Sequence, residues 1–191
     1  MKINQQIIFP TPLFEIEIPE IDNKKLSEDI YELRKSDKGM SKSNIGGWHS
    51  STQHNKIDKI FKPVIDNIIK ILPDLPFNPK ISNVYGLELW ANINDRYSYN
   101  NAHTHPGSDL SGVYYVKVPK KDCGNINFID PRPALSHGNS FIVERYTGGE
   151  STPRFPIEGN MYIFPSSLPH EVGMNRTDED RISISFNLNL R

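Results

Sequence analysis

The chain has 191 residues, a formal net charge of -1 at pH 7 and one cysteine, Cys123. This length suits one well-buried domain, the near-neutral charge argues against a duplex nucleic-acid partner, and a single cysteine excludes an internal disulfide or a cysteine-rich zinc site. No run approaches the ~20 apolar residues that cross a bilayer, and the first residues lack the apolar core of a signal peptide. We therefore expect a cytoplasmic protein with no membrane partner.

The first 80 residues predict one strand and two helices. Residues 7–18 alternate apolar and polar side chains around two prolines, a pattern typical of an edge strand. Apolar residues at helical spacing predict helices over residues 22–35 and 55–72, and Pro73 ends the second one. The intervening residues 36–51 are rich in serine, lysine and glycine, and they predict a loop.

From residue 81 onward the pattern changes to short strands separated by glycine, proline or asparagine. The predicted strands cover residues 81–93, 110–118, 125–129, 140–145, 160–164 and 181–190. Because helices come first and strands follow without βαβ alternation, we expect a mainly β protein, an antiparallel sandwich or barrel with the N-terminal helices packed outside. No repeat or linker divides the chain, which predicts a single domain over residues 1–191, with residues 1–80 supporting a core of residues 81–191.

A pair of histidines, His103 and His105, precedes the tyrosine-rich strand. In an extended segment residues two apart point to the same side, so the two imidazoles can converge on one metal ion. A third candidate ligand is His170, which a Pro/Ser turn presents after an apolar strand. On the last strand Arg181 and Ser183 point the same way, and a guanidinium beside a hydroxyl makes a clamp for a carboxylate.

The order of these motifs, His-x-His, Tyr-Tyr, a distal histidine and then Arg-x-Ser, resembles the iron(II)/2-oxoglutarate-dependent oxygenases of the double-stranded β-helix (jelly-roll, cupin-like) fold. The resemblance covers roughly residues 81–190. Within the superfamily, the chain is similar to a subgroup marked by the motif His-x-His-Pro-Gly-Ser. It implies Fe(II) as cofactor, 2-oxoglutarate as cosubstrate, and a hydroxylated product with succinate and CO2 as co-products. It places His103, His105 and His170 as catalytic metal ligands, and Arg181, Ser183 and Tyr115 at the cosubstrate. The neighbouring Tyr114 is expected to face the other side of its strand.

One position departs from the family pattern, because His105 stands where the usual motif has a carboxylate. Asp109 is the nearest carboxylate downstream, and it would enter the site if the loop folds back. Three histidines also resemble iron dioxygenases that do not use 2-oxoglutarate, although the Arg181-x-Ser183 pair argues against that interpretation. Two further alternatives stay open: a non-redox cupin-like module that binds a metal or ligand, and a jelly roll that binds a phosphate or nucleotide anion directly.

The substrate is expected to be a small molecule or a peptide, selected by loops around the site. The candidate substrate-binding residues are Trp48, His49, Tyr97, Tyr99, Arg132 and Arg145. Simpler roles are also predicted. Arg181 could pair with Asp178 or Glu179, and His49, His54 and His137 would lie in solvated loops.

Overall fold

The computed structural model of the protein describes residues 10–54, 58–76, 84–131 and 151–191. These residues form the helices α1 (Asn23–Ser36) and α2 (Lys62–Ile71), with 3₁₀ turns at Lys59–Phe61 and Leu72–Asp74. Their strands are β1 (Phe14–Glu17), β2 (Asn44–Ile45), β3 (Trp48–His49), β4 (Val84–Asn94), β5 (Tyr99–His103), β6 (Leu110–Lys117), β7 (Ile126–Ile129), β8 (Ser151–Arg154), β9 (Asn160–Pro165), β10 (His170–Val172) and β11 (Arg181–Leu190). No helix in these ranges is long and apolar enough to cross a membrane.

The strands form two sheets, and every pairing among the described strands is antiparallel. The larger sheet has the order β1-β9-β6-β11-β4-β3, and the smaller sheet has the order β2-β5-β10-β7-β8. Side chains from both sheets line one central cavity of about 710 Å³. This arrangement confirms the predicted antiparallel β architecture and is the double-stranded β-helix that the family resemblance implies.

The strand β11 shows why the helices lie outside and the cavity inside. Its even-numbered residues, Ile182 to Leu188, are fully buried in a core shared with apolar side chains of α1 and α2. Its odd-numbered residues, Arg181 to Asn189, line the cavity. Because successive side chains of a strand point to opposite faces, the two helices cover the apolar face of the larger sheet and leave its polar face to form a site.

The two predicted helices are present, with a correction to the second. The side chain of Asp22 accepts a hydrogen bond from the Lys25 amide (3.0 Å) and caps α1. The second helix starts at Lys62, later than the predicted residue 55, and residues 55–57 lie outside the described ranges. Pro63 explains the later start, because proline lacks an N–H and is tolerated in the first helical turn.

The predicted strands at residues 110–118, 125–129, 160–164 and 181–190 are confirmed to within a residue or two. The first predicted strand is also confirmed as an edge, since β1 pairs only with β9. The predicted strand at residues 140–145 lies outside the described ranges. The predicted loop at residues 36–51 is partly wrong, because it contains the short strands β2 and β3. The pattern also does not predict β5 and β10, which are short and polar.

Candidate active site

Three histidines meet at the junction of β5 and β10. His103 ends β5 and His170 begins β10, and the two residues are direct partners across the antiparallel pair. His105 lies two residues beyond His103, and its amide donates a hydrogen bond to the Ser166 carbonyl (2.9 Å). One nitrogen from each ring lies within 4.8 Å of the other two. The sequence expectation that these imidazoles converge is therefore met in the structure.

Hydrogen bonds at Nδ1 orient two of the three rings. His103 Nδ1 lies 2.7 Å from the Asn101 carbonyl oxygen, and His170 Nδ1 lies 2.9 Å from the Leu168 carbonyl oxygen. A carbonyl only accepts, so each Nδ1 carries the proton and donates it, which leaves the Nε2 lone pair of both rings for a metal. Ser43 Oγ lies 3.5 Å from His103 Nε2 and is fixed by the Asn100 amide (3.1 Å).

Burial keeps these rings neutral. It lowers the pKa of His105 to about 4 and the pKa of His170 to about 3, and the neighbouring histidines add to both shifts. It also lowers the pKa of His103. Metal ligation requires the unprotonated ring, so the cluster is in the ligating form at neutral pH. Among the described residues the cluster contains no carboxylate, so the three imidazoles by themselves would give a metal ion no negatively charged ligand.

Asp109 does not take the carboxylate position. Its side chain is exposed, and its Oδ2 accepts a hydrogen bond from the Leu190 amide (2.7 Å) at the end of β11. Its own amide donates to the Leu188 carbonyl. These contacts hold Asp109 at the end of the sheet, away from the three rings.

An aromatic stack supports His105 from the larger sheet. The Trp90 indole on β4 lies 5.7 Å from the His105 ring and stacks on the His49 ring (5.4 Å, 7° between planes). His49 is buried and lines the cavity, so the expected solvated loop at this residue is wrong. Sequence reasoning missed Trp90, although the alternation of β4 through Glu88, Trp90 and Asn92 carried the signal of a cavity-facing row.

The guanidinium of Arg181 is only 1% exposed. Its Nη1 donates to the carbonyl oxygens of Cys123, Gly124 (2.9 Å) and Gly173 (3.4 Å), whereas its Nη2 is buried without a partner among the described residues. Gly124 has φ +79°, and a Cβ there would collide with the Gly173 carbonyl, so this close approach of two loops needs glycine. Burial lowers the Arg181 pKa.

The predicted ion pair of Arg181 with Asp178 or Glu179 is wrong, because among the described residues Arg181 bonds only to backbone carbonyls and Asp178 pairs with Arg96 at 2.6 Å. A buried guanidinium with one free edge is costly unless an anion binds there. Arg181 therefore has the character of an anion site.

Two hydroxyls join Arg181 at the same place. Ser183 and Tyr115 are direct partners across β11 and β6, are 6% and 3% exposed, and both line the cavity. Neither hydroxyl has a hydrogen-bond partner among the described residues. Burial raises the Tyr115 pKa, so the phenol keeps its proton and can donate it. Buried polar groups are normally paired, and Arg181 Nη2 is the buried donor without a partner among the described residues. The two hydroxyls face the cavity next to it, so the three groups together offer donors to a carboxylate.

The structure brings some predicted substrate residues to the cavity and places others elsewhere. His49 lines the cavity, but Trp48 belongs to the core under the helices and its Nε1 donates to the Asp37 carbonyl (3.0 Å). Tyr97 is 57% exposed in a turn, beneath the Arg96 guanidinium (4.8 Å), and is not part of the cavity wall. Tyr99, on β5, is likewise not part of that wall. Arg132, Arg145 and His137 lie outside the described ranges.

Tyr114 faces away from the cavity, as predicted. Its ring is fully buried in the core under the helices, and its hydroxyl donates to Asn23 Oδ1 at 2.8 Å. Adjacent tyrosines on β6 thus serve the two faces of the larger sheet.

Several solved structures share this fold across nearly all of the chain. A prolyl-4-hydroxylase from Pseudomonas putida is 12% identical, with a TM-score of 0.62 over 94% of this chain and 92% of that chain. A viral collagen prolyl hydroxylase from Paramecium Bursaria Chlorella virus-1, in complex with 2-oxoglutarate, is 12% identical, with a TM-score of 0.60 over 92% and 94%. HygX from Streptomyces hygroscopicus, with nickel and 2-oxoglutarate bound, is 12% identical, with a TM-score of 0.57 over 94% and 83%. At these identities the likeness supports the fold.

No curated protein matches the chain in sequence. The family described as "Putative 2OG-Fe(II) oxygenase" matches residues 88–187, just over half of the chain. The match runs from β4 into β11 and includes the three histidines of the cluster together with Tyr115, Arg181 and Ser183. The chain therefore belongs to this family of oxygenases, which are enzymes that use Fe(II) and 2-oxoglutarate.

Proposed function

We propose that His103, His105 and His170 bind Fe(II), that Arg181, Ser183 and Tyr115 bind 2-oxoglutarate, and that the enzyme hydroxylates a C–H bond of a small molecule or peptide. Iron and cosubstrate together supply the oxidation: 2-oxoglutarate loses CO2 and becomes succinate with one oxygen atom of O2, while the other atom enters the substrate. The observation that carries the proposal is the buried Arg181 Nη2, which has no partner in the described part of the chain and belongs to the same cavity as the three histidines.

The donor set fits both groups. Three neutral imidazoles with free ring nitrogens are good ligands for a divalent first-row metal. At the proposed 2-oxoglutarate site, backbone carbonyls fix Arg181 Nη1, so Nη2 is already oriented before an anion binds. Ser183 and Tyr115 add two neutral donors, and hydrogen bonds from a cation to a carboxylate are about twice as strong as neutral ones.

The protein's own contribution is to position the reactants and exclude water. His170 is packed against the Phe164 ring (4.8 Å), and His105 against Trp90. These aromatic contacts restrict the orientation of the metal ligands and shield them from solvent. Replacing the usual carboxylate by His105 removes one negative charge, so we expect weaker retention of Fe(II) than in a site with two histidines and a carboxylate.

The single cysteine and the net charge bear on the cellular compartment and on the class of substrate. Cys123 is a buried free thiol, which suits a reducing compartment. We therefore place the reaction in the cytoplasm. The net charge of -1 gives no general attraction to duplex nucleic acid, which favours small molecules or peptides as substrates.

An anaerobic titration tests the proposed function. Fe(II) is added to the metal-free protein, followed by 2-oxoglutarate, and the visible charge-transfer band of the iron complex is recorded before O2 is admitted and succinate is measured. We expect the band and iron-dependent succinate. A fully metallated protein without the band would contradict the proposal.

The same titration distinguishes the proposal from two alternatives, because a three-histidine dioxygenase that does not use 2-oxoglutarate and a non-redox module would both bind a divalent ion without the band and without succinate. A jelly roll that recognises anions directly needs a separate measurement, since it would bind inorganic phosphate tightly in its metal-free form.

A further inference from the structure

The cavity continues beyond the histidines along β11. After Arg181 and Ser183, the residues Ser185, Asn187 and Asn189 line the same cavity. Side chains on one face of a strand follow each other at about 7 Å, so Asn187 lies roughly 20 Å along the strand from Arg181. The cosubstrate clamp is therefore at one end of a polar wall, and the other end has no role in holding iron or 2-oxoglutarate.

A single carboxylate stands at that other end. Glu88 on β4 is the direct partner of Asn187, whose Nδ2 donates to Glu88 Oε2 at 3.0 Å. The Ser111 hydroxyl donates to Asn187 Oδ1 at 2.8 Å and fixes the amide from the opposite side. The other carboxylate oxygen, Oε1, lies 3.2 Å from His54 Nδ1. Glu88 is thus held in place, yet 36% of its side chain is exposed.

The position of Glu88 relative to the histidines follows from β4. Trp90 is the next cavity-facing residue of this strand, it pairs with Ser185, and its ring is close to His105. The histidine cluster is therefore near the level of Ser185, with Arg181 on one side and Glu88 on the other. Among the described residues that line the cavity, Glu88 is the sole carboxylate.

Glu88 and Asn92 offer hydrogen-bond acceptors to a substrate. The described part of the cavity wall also carries two cations, Lys42, which is exposed before β2, and Arg181, which is committed to the clamp, and His54 on the same wall contacts Glu88 Oε1. Asn92 Nδ2 donates to Ser185 Oγ (3.0 Å), and no described residue donates to Asn92 Oδ1. Asn92 is the direct partner of Ser183, so this oxygen can accept from a substrate at the edge of the clamp.

We propose that the substrate carries a protonated amine or guanidinium and that Glu88 binds this cation while the carbon to be oxidised lies at the histidine cluster. The inference rests on the proposed function and adds the substrate class. The same chemistry is offered by a free basic amino acid and by a lysine or arginine side chain of a peptide. In both cases the Glu88 carboxylate and the Asn92 amide oxygen together orient the basic side chain of the substrate toward the histidines.

The test uses full-length protein loaded anaerobically with Fe(II) and 2-oxoglutarate. The probes are Nα-acetyl-lysine amide, Nα-acetyl-arginine amide and a lysine-containing pentapeptide, with norleucine versions as neutral controls, and binding is followed by calorimetry. We expect at least one cationic probe to bind roughly tenfold tighter than its neutral control, the value of a charge-assisted contact. Stronger binding of the pentapeptide indicates a protein substrate, and stronger binding of an amino-acid amide indicates a free metabolite.

Glu88→Gln is the decisive variant, because it keeps the shape and an oxygen for Asn187 but removes the charge. The preference for the cation should disappear in Glu88→Gln and persist in Glu171→Gln, whose carboxylate is also held by an asparagine (Asn127 Nδ2, 3.0 Å) but is not part of the cavity wall. Equal binding of cationic and neutral probes, no binding of any probe, or an unchanged preference in Glu88→Gln would overturn the inference. The charge-transfer band and succinate formation without substrate report on the proposed function separately, since neither needs Glu88.

Discussion

His103 and His170 are direct partners across the antiparallel pair of β5 and β10, with ring centroids 4.4 Å apart. A metal bound by both rings would therefore bridge two neighbouring strands that a few backbone hydrogen bonds now hold. Metal binding and the stability of the smaller sheet should be coupled, because an ion that binds only the folded state stabilises that state.

Divalent metal should raise the melting temperature, and His105→Ala should remove most of the increase. At a metal concentration a hundred times its dissociation constant, the expected gain is about 2.7 kcal/mol, or roughly 5–10 °C for a chain of this size. Anaerobic differential scanning fluorimetry with Fe(II), and with Ni(II) as an air-stable substitute, measures it. Thr104→Ala, on the exposed residue between the two histidines, is the matched control. An unchanged metal effect in His105→Ala would show that water or another group occupies that corner.

Arg181→Lys should weaken 2-oxoglutarate binding while Fe(II) binding is kept. Lysine retains the charge but lacks the planar guanidinium, whose Nη1 binds the backbone carbonyls while Nη2 is left for the ligand. We therefore expect a roughly tenfold to hundredfold loss in affinity for 2-oxoglutarate. The strength of the charge-transfer band against 2-oxoglutarate concentration gives the affinity directly.

Two companion variants keep this test decisive. Ser183→Ala removes one donor without disturbing the buried cation and should cause a smaller loss of the same kind. Arg96→Lys, on an exposed arginine paired with Asp178, should leave the affinity unchanged. If Arg181→Lys folds and binds 2-oxoglutarate normally, the clamp is elsewhere.

The adjacent tyrosines of β6 provide a matched pair for separating stability from binding. Tyr114→Phe removes the hydrogen bond to Asn23 and should cost about 1 kcal/mol in the free energy of unfolding, with 2-oxoglutarate affinity unchanged. Tyr115→Phe removes an unpaired hydroxyl, so it should leave stability nearly unchanged and weaken 2-oxoglutarate binding. Urea unfolding and the anaerobic titration measure the two quantities. The opposite pattern would mean that Tyr115 only packs in the core.

The sequence predicted the parts of the site that follow from strand periodicity. Residues two apart share a face, so His103 with His105 and Arg181 with Ser183 were paired correctly, and Tyr114 was correctly separated from Tyr115. The family resemblance added the order of the motifs. Neither source gives the backbone carbonyls that hold Arg181 Nη1, because these come from two loops about 50 residues apart that meet only in the fold.

The misses have a common physical cause. Trp48 and His49 are neighbours on the short strand β3, and alternation sends one side chain into the helix-covered core and the other into the cavity. A two-residue strand within a glycine-rich segment has no periodicity to detect, so both residues were assigned to a loop. Trp90 and Glu88 lie on a predicted strand, and its periodicity places them on one face. Whether that face lines the cavity or the core depends on which face of the sheet the helices cover, which the strand pattern does not give.

The metal-free protein should lose stability as the pH falls below about 6.5. The folded-state pKa values of about 4 for His105 and about 3 for His170 lie below the usual value of about 6.5 in an unfolded chain. Between those values the unfolded state binds more protons, so the free energy of unfolding rises with pH and the contribution of the two rings is complete above pH 6.5. Urea unfolding of chelator-treated protein at pH 7.5, 6.5, 5.5 and 4.5 measures the slope. His105→Gln should give a shallower slope than the wild type over this range, which separates the histidines from carboxylates that titrate in the same acid region. Identical slopes for the two proteins would mean that His105 is not held neutral by burial, and the cluster would then need to be rearranged before it binds a metal.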